Sequence, residues 1–254
     1  VRLQFENGAA GLVLMGYAHR PGVAETINST TGRLLRELPN TVGLAAVHPE
    51  DGCLSDILRR AREELGLCGV KLHCHVLRTA PDDPRLFPIY EDLCAWNGIL
   101  NIHAGREPAI EAYGVDVRAL SGAARVENVL RRFPEMRVII PHLGFDEIDA
   151  FYRLLDRHAN LYLDTTMVLG GYFPVRVDRA GLIRHADRIL YGSDYPHIPY
   201  PMETEVRALL SMDPGEGPLR RILHENAAGL FPFHGRRQSR PAPIVGENSE
   251  PNGS

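Results

Sequence analysis

The chain has 254 residues, 44% hydrophobic and 24% charged, with a formal net charge of −4. At about 150 residues per domain this allows one large domain or two modest ones, and α/β barrels reach such lengths as a single unit. The acidic balance gives no footprint for a polyanionic partner. The longest apolar runs, such as residues 11–18, fall short of the roughly 20 residues needed to span a bilayer.

Residues 1–10 carry no basic segment followed by an apolar one, so no leader peptide is read there. Four cysteines (Cys53, Cys68, Cys74 and Cys94), with no CxxC pair, are too sparse for a disulfide framework. Reduced thiols and a cytoplasmic location are the expectation.

Residues 1–7 read as the end of a helix, with Asn7-Gly8 as its C-cap. Strands are then predicted at 11–18 (GLVLMGYA), 41–47 (TVGLAAV), 69–72 (GVKL), 99–102 (ILNI), 137–141 (RVIIP), 160–163 (NLYL) and 188–192 (RILYG). Their near-continuous apolarity suits strands covered on both faces, as in a parallel sheet. Helices are predicted between them. Over 54–65, Leu54, Ile57, Leu58, Ala61 and Leu65 share one face, with capping side chains expected from Cys53-Leu54-Ser55-Asp56. Segments 84–96, 123–133, 147–158, 203–210 and 218–230 follow the same logic.

Strand starts at 11, 41, 69, 99, 137, 160 and 188 are spaced by about one βα unit each. No Gly-rich phosphate turn follows any of them, which argues against a doubly wound sheet. The fold class expected is α/β, a TIM-type (β/α)8 barrel that lacks its first strand in this chain. Residues 1–234 form that barrel, and 235–254, rich in Pro, Ser, Gly and charge, form a disordered tail.

In such barrels chemistry collects at the C-terminal strand mouths. Those positions carry His19, His48, His73 with His75, His103, His142, Asp164 and Asp194. Five of seven mouths hold a histidine, although only 11 of 254 residues are histidine. Imidazole and carboxylate are the donors of a Zn²⁺ or Mn²⁺ site, and separate strands can aim them at one point. His103, His142 and Asp194 are each followed by small residues or proline, where the backbone can turn away from the mouth. Asp194 is assigned a double role, ligand and base, with capping as the structural alternative. His73 and His75 share a face if the strand continues. They are metal ligands or, by preference, substrate-facing hydrogen bonders. Lys71, the sole lysine, has the parity of His73. It forms an ion pair, binds an anionic substrate or, carbamylated, bridges two metals.

Arg106 either forks onto a substrate carboxylate or pairs with Glu107, and Tyr113 lies on the same loop. Asp164 is a hydrogen-bonding neighbour or a cap. Cys74 has the opposite parity to His73 and reads as a buried thiol. His19 and His48 read as rim residues, and His158, His185, His224 and His234 as surface. Ser193, in Gly192-Ser193-Asp194, does not fit a GxSxG elbow.

GVKLHCH at 69–75, NIHAGREP at 101–108, PHLG at 141–144 and YGSDYPH at 191–197 resemble, in that order, the amidohydrolase-related family of metal-dependent barrel hydrolases, which includes aminocarboxymuconate-semialdehyde decarboxylase-like enzymes. The resemblance spans about 11–231. It implies a divalent metal, zinc with manganese as the alternative, held by His103 on the family's fifth strand and Asp194 on its eighth. It also implies that His142, on the sixth, positions or protonates substrate or binds a second metal. The family's first strand supplies a His-x-His pair, and no histidine precedes residue 11. With the absent eighth strand and initiator Met, this leads to the expectation of an N-terminally incomplete gene product with weak activity.

The function expected first is hydrolysis of a small cyclic ester, amide or lactone by a metal-activated water, with Asp194 as base and His142 assisting. The alternatives are non-oxidative decarboxylation of an aromatic or unsaturated acid, with Arg106 on the carboxylate, and an inactive barrel remnant. The expected partner is a small molecule, not nucleic acid or membrane, and a homodimer is open.

Overall fold

The computed structural model describes residues 2–108 and 113–233. A short helix, α1 (Arg2–Glu6), leads in; Asn7 and Gly8 donate backbone hydrogen bonds to Leu3 and Phe5, with Gly8 at φ +90°. That is the αL ending glycine favours, and it matches the expected cap.

Seven strands follow: β1 (Leu12–Met15), β2 (Thr41–Ala46), β3 (Gly69–His73), β4 (Ile99–His103), β5 (Arg137–Ile140), β6 (Leu161–Asp164) and β7 (Ile189–Leu190). All pair in parallel in chain order, with registers such as Leu12↔Thr41, His73↔His103 and Leu163↔Ile189. Sequential parallel pairing with a helix in each crossover is the connectivity of a (β/α) barrel. Among the described residues the sheet has seven strands, so β1 and β7 are its two edges and the barrel is partial.

Strand alternation sorts the side chains. Val42, Leu44, Ile99, Ile139 and Leu190 form an inner apolar layer with Leu230 and Phe231. The neighbouring set (Val70, Leu72, Leu100, Ile102, Val138, Ile140 and Leu163) packs outward against the helices. Because side chains repeat every two residues, the inner face that begins at Ile99 continues through Asn101 to His103, and Lys71 continues to His73. The interior therefore changes from hydrocarbon at one end to ammonium, amide and imidazole at the mouth.

The outer layer comprises α2 (Ala24–Glu37), α3 (Leu54–Glu63), α4 (Cys74–Leu77), α5 (Phe87–Ala95), α6 (Val117–Leu120), α7 (Ala123–Arg132), α8 (Ile148–Leu155), α9 (Arg179–Arg184) and α10 (Glu203–Ser211). The chain then runs through α11 (Glu216–Arg220), one π-turn (Arg221–Glu225) and α12 (Asn226–Leu230), where a single helix was expected. Asn226 Nδ2, just after the π-turn, donates to the carbonyls of Ala186 and Ile189 at 2.7 Å each, tying this end to β7.

Helix α2 has no counterpart among the expected elements. Its middle, Thr26 to Gly32 (TINSTTG), holds no strong helix former. Tertiary contacts offset this: Asn28 is buried and exchanges two hydrogen bonds with the Ala46 backbone, 2.9 and 2.7 Å. The capping expected at the start of α3 is absent; Cys53 occupies the N-cap position without a side-chain cap bond. The expected tail, 235–254, and His234 lie outside the described residues.

Candidate metal-binding active site

β3 ends at His73, and the chain enters α4 with the next residue. His75 therefore reaches the mouth from the first turn of a helix and not from a continuing strand. The shared-face argument for His73 and His75 fails in detail, yet both side chains arrive at one place. His73 lies 3.9 Å from His103, ring centre to ring centre, nearly parallel at 12°. His75 stands edge-on to His103 at 4.9 Å and to His73 at 5.6 Å. One donor atom from each of these three residues lies within 4.8 Å of the other two, and all three are buried.

His73 Nδ1, His75 Nδ1 and His103 Nε2 are buried without a hydrogen-bond partner. Orphaned polar atoms of this kind are uncommon in folded chains and call for a physical explanation. His75 Nε2 faces Ser121 Oγ at 3.0 Å, and that hydroxyl donates to the Val117 carbonyl at 2.9 Å. This assigns the proton to Nε2 and leaves Nδ1 as a lone pair. Burial first, then neighbouring histidines and Lys71, push the pKa of His73 and His103 down, so both rings are neutral. Three clustered imidazoles with unpaired nitrogens, those of His73 and His103 held neutral by burial, have the donor chemistry of a divalent-cation site. The stacked rings of His73 and His103 must rotate for both lone pairs to meet one ion.

His142 follows β5. Its φ of 60°, like those of Leu143 (50°) and Phe145 (56°), is left-handed, a conformation that non-glycine residues hold only where the surroundings enforce it. Asp164 Oδ1 accepts from the backbone N–H of both His142 and Thr166, 3.1 Å each. His142 Nδ1 lies 2.9 Å from the Thr166 carbonyl, which can only accept. The ring proton therefore sits on Nδ1 and Nε2 offers a lone pair. Burial, reinforced by Lys71, brings the His142 pKa down to about 3. Phe145 stacks on this ring at 4.3 Å and 16°, and His103 lies 4.8 Å away.

Lys71 is buried on the inner face, its ammonium donating to Asn101 Oδ1 at 2.7 Å. Burial lowers its pKa, opposed by Asp164 and Asp194. Asp194, at φ 54°, keeps an open face to solvent, yet burial of its carboxyl raises the pKa. Lys71 opposes that rise and Asp164 adds to it. The donor group within 4.8 Å comprises the three histidines, and Asp194 stands at the same mouth, close enough for Lys71 and Asp164 to act on its carboxyl.

The expected Arg106–Glu107 pair does not form. Arg106 pairs with Glu147 at 3.3 Å, and Glu107 turns inward, its Oε2 3.5 Å from His103 Nε2 and 3.7 Å from His75 Nδ1. Burial pushes the Glu107 pKa up, but contacts with His75 and the Tyr113 phenol outweigh this and leave it low, so the carboxylate is ionised.

Cys74 is buried and burial pushes its thiol pKa up, as suits an inert residue. His19 is exposed, whereas His48 is buried, its backbone N–H bonded to Asp51 and its Nδ1 accepting from the Glu50 N–H. His185, expected on the surface, is buried against Tyr152 at 4.9 Å. His224 is exposed and His158 half-buried. Ser193 Oγ accepts from the Tyr195 N–H at 3.3 Å. Tyr17, Ser121, Phe145 and Thr166 were not anticipated. Of these, only Tyr17 carried a readable signal, two residues beyond Met15 on the inner parity of β1.

The amidohydrolase family model matches residues 17–233. This chain belongs to the amidohydrolase family. No curated relative matches the sequence. Among solved structures, this chain is similar to an uncharacterised TIM-barrel protein from Bordetella bronchiseptica, at 22% identity and TM-score 0.72, covering 93% of this chain and 84% of that one. It is similar to 2,6-dihydroxybenzoate decarboxylase from Rhizobium, at 17% and 0.65, covering 91% and 87%. It is also similar to 5-carboxyvanillate decarboxylase from Novosphingobium aromaticivorans, at 19% and 0.63, covering 82% and 69%, a structure complexed with manganese and 4-hydroxy-3-methoxy-5-nitrobenzoic acid. At these identities the likeness is one of fold. Among the described residues, no helix is long and apolar enough to cross a membrane.

Proposed function

We propose that this amidohydrolase-family chain is a divalent-metal-dependent, non-oxidative decarboxylase of an aromatic carboxylic acid. The observation that carries the reading is the aromatic wall around the histidine group. Tyr17 and Tyr113 stand 5.0 and 5.6 Å from His73, and Phe145 lies on His142 and meets Phe173 at 5.0 Å. Such a slot suits a flat ring, and buried Lys71 supplies positive charge for an anion. Hydrolysis of a cyclic ester, read first from the sequence, uses the same polar groups but gains nothing from this wall. The two neighbours above whose activity is stated are decarboxylases.

His73, His75 and His103 would hold the cation, which when bound would supply Lewis-acid charge for an anionic substrate. Lys71 draws the anion into the mouth. Arg106 is committed to Glu147, so the fork onto a carboxylate expected of it is not part of this scheme. His142, neutral and fixed by Thr166, accepts a hydrogen bond at Nε2 from a ring hydroxyl. Asp194, whose carboxyl holds its proton more tightly than an ordinary aspartate, delivers it to the ring carbon that bears the carboxylate. The C–C bond then breaks, its electron pair returns to the ring, and CO2 leaves; Asp194 recovers a proton from water. The sum is R–COO⁻ + H⁺ → R–H + CO2.

The test offers manganese-loaded protein a panel of hydroxybenzoates, including 2,6-dihydroxybenzoate, and measures CO2 release. Turnover of at least one is expected, with a loss of at least about 100-fold in D194N at unchanged melting temperature. Hydrolysis of lactones or esters by the same preparation, without CO2 from any acid, would return the assignment to the hydrolytic reading.

A further inference from the structure

We propose that Glu205 is a positioning residue for the aromatic slot, clamping the loop after β6 to the segment after β7 before a substrate arrives. This rests on reading the mouth as a slot for an aromatic acid, and it names the group that holds the wall in place. Glu205 lies in the first turn of α10 and is fully buried. Its Oε2 accepts from the Leu169 N–H at 2.9 Å. Its Oε1 accepts from the Gly170 N–H at 3.1 Å and from the Tyr200 phenol at 2.6 Å. Among the described residues its partners are these three donors, none of them a cation. A carboxylate taken out of water without a counter-ion is costly, and hydrogen bonds aimed at it are what offset the cost. What the carboxylate adds in return is a joint to backbone 35 and 36 residues upstream.

Both joined segments carry parts of the mouth. Upstream of Leu169, the Thr166 carbonyl fixes the His142 ring at 2.9 Å. Downstream of Gly170, Phe173 meets Phe145 at 5.0 Å and Tyr172 at 5.0 Å. The other segment leaves β7, carries Asp194 and reaches Tyr200, whose ring faces Tyr172 at 5.9 Å. The approach is close: a Cβ on Gly170 would meet Glu205 Oε1 at 2.8 Å. Burial first, then the bond to Glu205 and its charge, raise the Tyr200 phenol pKa, so this hydroxyl remains a donor. Two segments pinned through one carboxylate do not have to be ordered by the ligand, and the entropy of ordering them falls on folding and not on binding.

The test compares E205Q, in manganese-loaded full-length chain, with the wild type and with E203Q, which removes the same charge from an exposed residue of the same turn. In E205Q the amide oxygen replaces one carboxylate oxygen while the NH2 faces a donor, so at least one N–H or O–H loses its acceptor. Backbone hydrogen exchange over residues 166–173 and 194–201 should accelerate at least about tenfold in E205Q and keep the wild-type rate in E203Q. KM for the hydroxybenzoate that the wild type decarboxylates should rise at least about fivefold with kcat within about twofold, because fewer molecules hold a formed slot and bound substrate restores it. Wild-type exchange in both segments of E205Q would overturn the proposal, as would a fall in kcat at wild-type KM, the mark of a purely structural role. The same changes in E203Q would assign them to charge at the start of α10 and overturn it too. If E205Q does not fold, Y200F, which deletes one donor, should accelerate exchange over 194–201 and leave 166–173 at the wild-type rate; unchanged exchange over 194–201 would refute the clamp. A wild type that decarboxylates none of the acids refutes the aromatic-acid reading, and the exchange rates still decide the clamp.

Discussion

Acid should unfold the metal-free protein in a way traceable to His142. The unfolded chain binds a proton at this imidazole below its ordinary pKa of 6.5, whereas the native ring resists protonation until about 3. The folded pKa is depressed, so the stabilisation is complete above pH 6.5 and is lost as the pH falls towards 3. Linkage between these two values gives a loss of about 2 kcal/mol from pH 7 to 5, and of about 5 kcal/mol once both states are protonated. The ring is 6% exposed, so solvent screening does little to dilute this. Asparagine is a suitable replacement, because it tolerates φ 60° and its amide can still donate to the Thr166 carbonyl. Urea denaturation in EDTA at pH 7, 6 and 5 should show H142N losing about 2 kcal/mol less than the wild type over that range. His73 is present in both proteins, and because His142 helps to hold the His103 pKa down, its removal shifts His103 in the same direction as the expected difference. Parallel stability curves for the two would show that His142 is not held neutral by its burial, and the tautomer argument would fall with it.

Gly144 carries φ +81°, and a Cβ there would meet the Phe151 ring at 2.0 Å; G144A should destabilise by about 2–4 kcal/mol, from backbone strain plus overpacking, and an unchanged melting temperature would contradict the close approach. Phe151 is fully buried between α8 and the sheet, so F151A should cost about 3–5 kcal/mol in denaturant unfolding. The Tyr90 hydroxyl donates to the Pro81 carbonyl at 2.8 Å; Y90F should lose about 1 kcal/mol, and a stabilised variant would show that the bond contributes nothing.

The alternation of apolar runs with amphipathic segments was enough to read seven parallel strands, their order and the partial barrel, because strand and helix periodicities are local properties of the chain. His73, His75, His103, His142, Asp164, Asp194 and Lys71 were legible as mouth residues for the same reason: each follows or ends an apolar run. Helix α2 was not legible, since its stability comes from Asn28 reaching the Ala46 backbone and not from its own composition. Nor was the partnership within the mouth. A residue's parity on a strand says which face it takes, but not where the strand stops, and His75 enters the site because β3 ends one residue before Cys74. Glu107 looked like the natural mate of Arg106, its neighbour in sequence. Only the approach of Gly105 to Gly144 and the pull of Glu147 on Arg106 turn that carboxylate inward, and these contacts join segments roughly 40 residues apart. Covalent order and side-chain chemistry thus determined which groups stand at the rim. Which lone pairs face each other was decided by long-range packing, because the placement of a donor depends on backbone turns enforced by distant neighbours.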